Sequence, residues 1–261
     1  MLVALNETGD RIVAESVTDR ELKFFCPGCG KSVILKRGKI KIPHFAHSIL
    51  GICDWDAGET TYHIEAKDWL FHYFKKAGPE YDVSLEYTGI SGVRPDVFVG
   101  FENNCVAFEV QHSGISEAEI NRRNSVYMDN GIAVMWLLTR DVGKKMESSE
   151  FRLREQDVYL YHQYFNNLFV FNGSGIDVVN VNNVQRLVDE AYNRDGELVG
   201  GYTKTLKRTF EVSKRRVIDL IDDCSLFRKP RFKERFKQAY LFGLTKFGGI
   251  KLKSMEAKDE R

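Results

Sequence analysis

No stretch of this 261-residue sequence stays apolar for the roughly 18–20 residues that a membrane-crossing helix needs. Met1–Ser16 carries no basic stretch followed by an apolar one, so neither export nor membrane insertion is expected, and the compartment read from the sequence is the cytoplasm. Internal repeats and low-complexity linkers are absent, which removes solenoids and tethered arrays from consideration. Cysteine is sparse and odd in number: five residues in a chain this long do not make a disulfide framework, and two of them stand as Cys-x-x-Cys. Metal binding or redox chemistry is the better use for such a pair. Net charge is nearly absent at +1, while 29% charged and 43% hydrophobic residues describe a globular protein rather than a disordered one. The length suits one large or two small domains.

The small net charge hides an asymmetry. Residues 203–261 carry 17 Lys and Arg against 8 Asp and Glu, a balance of +9, whereas residues 1–202 carry 21 against 29, a balance of −8. A basic end on an acidic body suits a polyanionic partner, the alternative being solvated helix faces.

Hydrophobic periodicity gives the order of elements. Leu2–Leu5 and Ile12–Ala14 read as short strands around a turn, and a strand-rich stretch with little apolar content continues to Cys53. Glu59–Lys76 changes to helical spacing, with Tyr62, Trp69, Leu70 and Tyr73 on a broad stripe, and Gly78-Pro79 ends it. Three strands follow at Val83–Tyr87, Val97–Phe101 and Val106–Val110. Next comes a helix over Ser116–Asn130, opening on a capping-box pattern, and then the continuously apolar run Ile132–Leu138, as in a strand buried on both faces. The order helix, three strands, helix, strand predicts an α/β fold with a mixed central sheet flanked by helices. Further strands are expected in Val158–Phe171 and Ile176–Val181, a helix over Asn183–Arg194, and a basic amphipathic helix over Phe227–Phe242. The expected division is a β-rich module over 1–57, an α/β core with its extension over 58–202, and a basic helical segment over 203–261.

Two constellations carry chemistry. Arg94-Pro95-Asp96 and Phe108-Glu109-Val110-Gln111 put Asp96 and Glu109 at the edges of neighbouring strands, where two carboxylates form a hard-oxygen site suited to Mg²⁺ or Mn²⁺. Period-2 geometry sets Glu109 and Gln111 on one face, with Gln111 placed to orient water or a phosphate oxygen. Spacing alone is also consistent with two unrelated surface carboxylates. Cys26-Pro-Gly-Cys29 is the second constellation, a tight turn that positions two thiolates for tetrahedral Zn²⁺. Its remaining ligands come either from His47 and Cys53 or from His44 and His47, and the sequence does not choose. A module with so small a core has a use for structural zinc, and no βαβ unit surrounds the pair to support a thioredoxin-like reading. Cys105 and Cys224 read as plain buried residues. His112 and Ser113 follow the Glu-x-Gln strand, His72 and His162 read as packed or half-exposed side chains, and Lys36, Arg37, Lys39 and Lys41 form a basic hairpin.

Taken together, the opening hairpin, Cys26-Pro-Gly-Cys29, Pro43-His-Phe-Ala-His47, Glu59, His63 and Lys67 on one helix, Glu86, Arg94-Pro-Asp96, Glu109-Val-Gln111-His-Ser113, Arg123 to Tyr127, and Trp136 resemble the competence protein CoiA-like family of the PD-(D/E)xK nuclease superfamily. The resemblance covers about residues 1–140. It implies a restriction-endonuclease-like αβββαβ core behind a zinc-ribbon-like module, Mg²⁺-dependent hydrolysis of DNA phosphodiesters, and a role in DNA processing or recombination, alone or with recombination proteins, or in defence. In this resemblance Asp96 and Glu109 bind Mg²⁺ or Mn²⁺, Gln111 orients the nucleophile, Lys67 and His63 assist from the preceding helix, and Glu86 completes the acidic cluster. The superfamily commonly has Lys where this chain has Gln111, and a neutral amide supplies no positive charge to a developing phosphorane. Lys67, one turn beyond His63 on the same face, is the candidate replacement, with Glu59 two turns before it. The competing reading is a non-catalytic protein that binds DNA or recruits a recombinase. Nothing in the sequence reads a 2′-hydroxyl, so DNA and RNA are not separated.

Overall fold

The computed structural model describes residues 1–215 except 20–21, 40, 50–52, 54, 56–58, 103, 140–153, 165–166, 189–191, 195–196 and 200–202. Two compact units divide the chain, Met1–His112 and Ser113–Arg261.

In the first unit, β1 (Val3–Leu5) and β2 (Arg11–Val13) pair antiparallel around a turn. The Asn6 side chain holds that turn by accepting from the amides of Thr8 (3.0 Å) and Asp10 (2.7 Å), and Gly9 supplies the positive φ of +87°. With β3 (Phe24–Phe25), β4 (Ser32–Lys36) and β5 (His44–Ala46) these strands form a five-stranded antiparallel sheet in the order β2-β1-β3-β4-β5. Its inner face is a small core of Met1, Ala4, Val17, Phe24, Val33 and Phe45, in which the Phe24 and Phe45 rings lie 4.9 Å apart.

Helix α1 (Thr61–Ala77) starts at Thr60, whose hydroxyl accepts from the His63 amide, and buries Ile64, Ala66, Leu70 and Phe74 as one stripe. Lys75 and Lys76 sit in the last turn, where cations suit the helix dipole. The buried stripe packs on a three-stranded antiparallel meander of β6 (Tyr81–Leu85), β7 (Val97–Phe101) and β8 (Asn104–Gln111), with Phe74 against Tyr81 and Phe108.

The second unit begins with α2 (Glu117–Asp129), capped by the Ser116 hydroxyl on the Glu119 amide, and packs it on β9 (Ala133–Leu138), which is buried at every position. Within this unit α3 (Glu155–Gln163) precedes β10 (Asn167–Phe171), which runs parallel to β9. Next, β11 (Ile176–Val188) is antiparallel to β10 and to β14 (Thr203–Arg215), and β12 (Tyr192–Arg194) pairs with β13 (Glu197–Val199). Trp136 is held by both of its donors: the indole donates to Asn124 Oδ1 at 2.8 Å, and the amide donates to the Tyr164 hydroxyl at 3.0 Å.

Element order along the chain is therefore αβββαβ, a mixed α/β fold of sheets flanked by helices behind a β-rich module, as expected from the sequence. Four expectations are corrected. The first half of Val158–Phe171 is helix α3, and the strand is confined to Asn167–Phe171. Asn183–Arg194 is not a helix: β11 runs on to Val188, and Tyr192–Arg194 is a strand. The basic segment 203–261 opens with a strand, Thr203–Arg215, while the helix expected at Phe227–Phe242 lies outside the described residues, as does Cys224. Cys105 is half-buried rather than buried. Among the described residues no helix is long and apolar enough to cross a membrane.

Candidate metal centre and acidic site

Both constellations lie in the first unit. Cys26 follows β3, Cys29 closes the turn after it, and His47 leaves β5. Together with Cys53 their ligand atoms all fall within 4.8 Å of one another. The Cys26 and Cys53 sulfurs are 3.7 Å apart, and His47 Nε2 is 3.3 Å from Cys29 and 3.8 Å from Cys53. A tetrahedron with Zn–S of about 2.3 Å and Zn–N of about 2.0–2.1 Å has edges of roughly 3.8 Å and 3.6 Å, so this donor set fits zinc. The choice left open by the sequence falls on His47 and Cys53: His44 turns its Nδ1 to the Ile42 carbonyl at 2.8 Å. Burial pushes the Cys26 thiol up to about 12, while the Lys31 backbone amide, against a smaller desolvation, draws Cys29 down to about 7.

The acidic site is built around α1. Lys67 is fully buried, and its ammonium lies 2.5 Å from Glu59 Oε1, 2.7 Å from Glu86 Oε1 and 3.8 Å from Asp96 Oδ1. One turn earlier, His63 places Nε2 3.0 Å from Asp96 Oδ2, an oxygen that also accepts from the Val110 amide at 2.8 Å. Glu59 Oε2 faces the Met1 amino group at 2.9 Å. Glu86 adopts a left-handed φ of +48°, uncommon for a side chain of this size, and its carboxylate accepts from the Leu2 (2.8 Å) and Val3 (3.2 Å) amides of the N-terminal strand. The Glu86 amide donates to the Asp96 carbonyl, and Arg11 donates to the Leu85 and Glu86 carbonyls, each at 2.9 Å.

Charge explains the titration of this network. Burial would raise Asp96, but the His63 ring, its hydrogen bond and the Lys67 ammonium outweigh burial and hold the carboxyl at about 2. Glu59 is likewise held well below the usual carboxylate range against desolvation, by Lys67 above all, and Lys67 is held above its ordinary value by Glu59, Glu86 and Asp96.

The structure thus gathers Lys67, His63, Glu86 and Asp96 from the sequence expectations and adds Glu59. Within reach of a single ion stand Glu59, His63 and Asp96. Glu109 is buried on β8 and, continuing the Val97–Phe108 pairing by one residue, stands opposite Asp96, but it lies outside that trio. Gln111 is half-exposed at the end of β8, and the next residue, His112, stacks on Tyr62 of α1. Sequence reasoning placed Glu59 only on the helix face. The spacing Glu59–His63–Lys67 was its one signal, and backbone amides arriving from residues 2 and 3 leave none.

An αβββαβ core with a buried carboxylate–lysine centre, preceded by a Cys₃His module, defines a nuclease-like protein of the PD-(D/E)xK kind. Comparison with protein families agrees. Residues 59–189 match the family described as competence protein CoiA, nuclease-like domain, and residues 10–56 match its N-terminal domain. The chain belongs to the CoiA family. It is 31% identical over 134 residues to competence protein CoiA of Bacillus subtilis (strain 168), a match that covers 50% of this chain and 35% of that relative's length.

Proposed function

We propose that this chain is a metal-dependent nuclease that hydrolyses DNA phosphodiesters, in cytoplasmic DNA processing, recombination or defence, with structural zinc in its N-terminal module. The observation that carries this reading is the buried centre in which Lys67 and His63 of α1 meet Asp96 at the start of β7. Asp96, with Glu109 opposite it, offers oxygen donors that fit Mg²⁺ or Mn²⁺. The chemistry such an ion supplies when bound is a lowered pKa for water and neutralisation of charge growing on phosphate. The chain's own residues do the rest. His63 and the Val110 amide fix Asp96 Oδ2, Gln111 orients water, and Lys67 brings the positive charge that Gln111 lacks, with Glu59 and Glu86 holding its ammonium in place. The basic residues of 203–261 would hold phosphates, and recombination proteins are the natural partners of such an activity.

The second reading, a non-catalytic DNA-binding or recombinase-recruiting protein, is favoured by one observation: the Lys67 ammonium is already matched by three carboxylates, which a metal must share. The deciding experiment incubates purified protein with linear, circular and single-stranded DNA, and with RNA, with and without Mg²⁺ or Mn²⁺. Metal-dependent cleavage of DNA is expected, abolished by Asp96→Ala and by Glu109→Ala, with DNA binding retained. Gln111→Ala should act more mildly, and Gln111→Lys should rescue a Lys67 variant that folds but does not cleave. No cleavage of any substrate with either ion establishes the second reading.

A further inference from the structure

The outer face of the N-terminal sheet is unlike the rest of the acidic body. From Leu22 to Cys53 the sequence holds Lys23, Lys31, Lys36, Arg37, Lys39 and Lys41 and not one Asp or Glu, within a stretch, residues 1–202, whose overall balance is −8. Arg37 is spent on structure, donating to the Ala14 and Glu15 carbonyls, but the five lysines are exposed. Strand pairing says where two of them, Lys23 and Lys36, point. Phe25 stands opposite Ser32 across β3 and β4, so the two share a face, and alternation along β4 adds Ile34 and Lys36 to it. The other face carries Phe24 and Val33 into the core. Ile34 is 49% exposed in the middle of this outer face, beside half-buried Phe25, and Lys23, two residues before Phe25, is 75% exposed with Glu7 3.9 Å away.

We propose that this face is a docking surface for single-stranded DNA, resting on the DNA reading above but not on catalysis. Continuing the β3–β4 register by one pair sets Lys23 opposite Ile34, with Lys36 next along β4, so phosphates can run along these two lysines while unpaired bases lie on Phe25 and Ile34. A duplex keeps its base faces stacked inside and would leave that centre unused. The charge balance makes the choice of face: a polyanion is repelled by the acidic remainder of residues 1–202 and attracted here.

The test is binding of a labelled single-stranded oligonucleotide, and of the duplex of the same sequence, to the full zinc-loaded chain without Mg²⁺ and without chelator, over a salt series. Each phosphate neutralised on a single strand contributes about 0.7 to the slope of log affinity against log salt, or about fivefold in affinity near 0.1 M. The double variant Lys23→Ala/Lys36→Ala should therefore bind about 25-fold more weakly, with a slope smaller by about 1.4. Phe25→Leu should weaken binding by roughly tenfold at unchanged slope, as expected for loss of one stacked base. Lys75→Ala/Lys76→Ala on α1 should change neither quantity, and zinc content confirms that each variant is folded. Wild-type affinity in the double lysine variant, an equal loss in the α1 variant, or duplex binding as tight and indifferent to Phe25 would each overturn the proposal. Protein that cleaves with Mg²⁺ but binds through another face loses only this docking surface. Protein that binds here and never cleaves loses only the nuclease reading.

Discussion

The Cys₃His cluster and the Lys67 cluster sit in the same compact unit and answer the cost of burying polar groups in opposite ways. Around Cys26 the donors are spaced for a tetrahedral ion, and the buried thiol is pushed up to about 12, so that it gives up its proton readily only to a metal. Around Lys67 the chain brings its own cation, and three carboxylates and one ammonium satisfy one another. On the zinc reading proposed above, the first cluster needs its metal to be a structure. The other is a structure first, and any metal must compete for carboxylates already in use. Loss of metal should unfold the first and leave the second standing.

The largest expected effect follows directly. Structural zinc contributes on the order of 10 kcal/mol in small modules, so Cys26→Ala should lose the metal and unfold β3–β5 while α1 and the meander keep their hydrogen-exchange protection. Elemental analysis should find about one zinc per wild-type chain. A metal-free wild type with a fully protected module breaks the comparison on one side. On the other side, Lys67→Met leaves buried carboxylates without their counterion, and about 3–5 kcal/mol of stability should go, read as a drop in the urea midpoint. If Mg²⁺ or Ca²⁺ restores much of that loss, the position of the ammonium is also a cation position, and the two clusters differ only in who supplies the charge. A midpoint equal to wild type would mean that Lys67 does not hold the site together.

How far the sequence showed this depends on the kind of contact. The αβββαβ order was legible because Tyr62, Trp69, Leu70 and Tyr73 recur at helical spacing and β9 is apolar at every position, although of those four only Leu70 is buried and the packed stripe runs through Ile64, Leu70 and Phe74. It failed where the period itself is broken. In β11 the register shifts between Asn182 and Gln185 and again between Leu187 and Val188, so Val181, Val184 and Leu187 recur every three residues and imitate a helix. The strand expected over Val158–Phe171 failed in its first half, where the chain is the helix Glu155–Gln163. The missed signal was Asp157, whose carboxylate accepts from the Arg154 amide at the helix start. Side-chain chemistry at short spacing, Cys26-x₂-Cys29 or His63–Lys67, could be read directly. The grip of the Leu2 and Val3 amides on Glu86 could not, because backbone donors carry no residue code.

That grip gives the next prediction. Glu86 is the joint at which the first strand is fastened to the Lys67 centre. Glu86→Gln keeps the shape but replaces an ionic acceptor of two amides and an ammonium with a neutral one, which should cost about 1–3 kcal/mol. The loss should show as faster hydrogen exchange at Leu2 and Val3, with zinc content unchanged. Unaltered exchange there would mean that β1 is held by the sheet alone and that the two clusters are independent.

The smallest effect is expected in acid. Asp96 has its folded value depressed to about 2, against burial, by His63 first and then Lys67. A carboxyl depressed in the folded state contributes stability that is fully present above its unfolded value of about 3.9 and is lost as pH falls through about 2. The contribution of Asp96 should therefore be constant from neutral pH to about 4 and decline between about 4 and 2. His63→Gln removes the ring that lowers Asp96 most, so Asp96 should titrate at higher pH in the variant and its contribution should be lost earlier as pH falls. Carbon NMR of the Asp96 carboxyl separates this from protonation of the zinc ligands, which also accompanies acid and is followed in parallel by zinc content. A wild-type Asp96 that titrates near 4, unmoved by His63→Gln, would show that the charges around Lys67 do not reach the carboxylate on which the proposed chemistry depends.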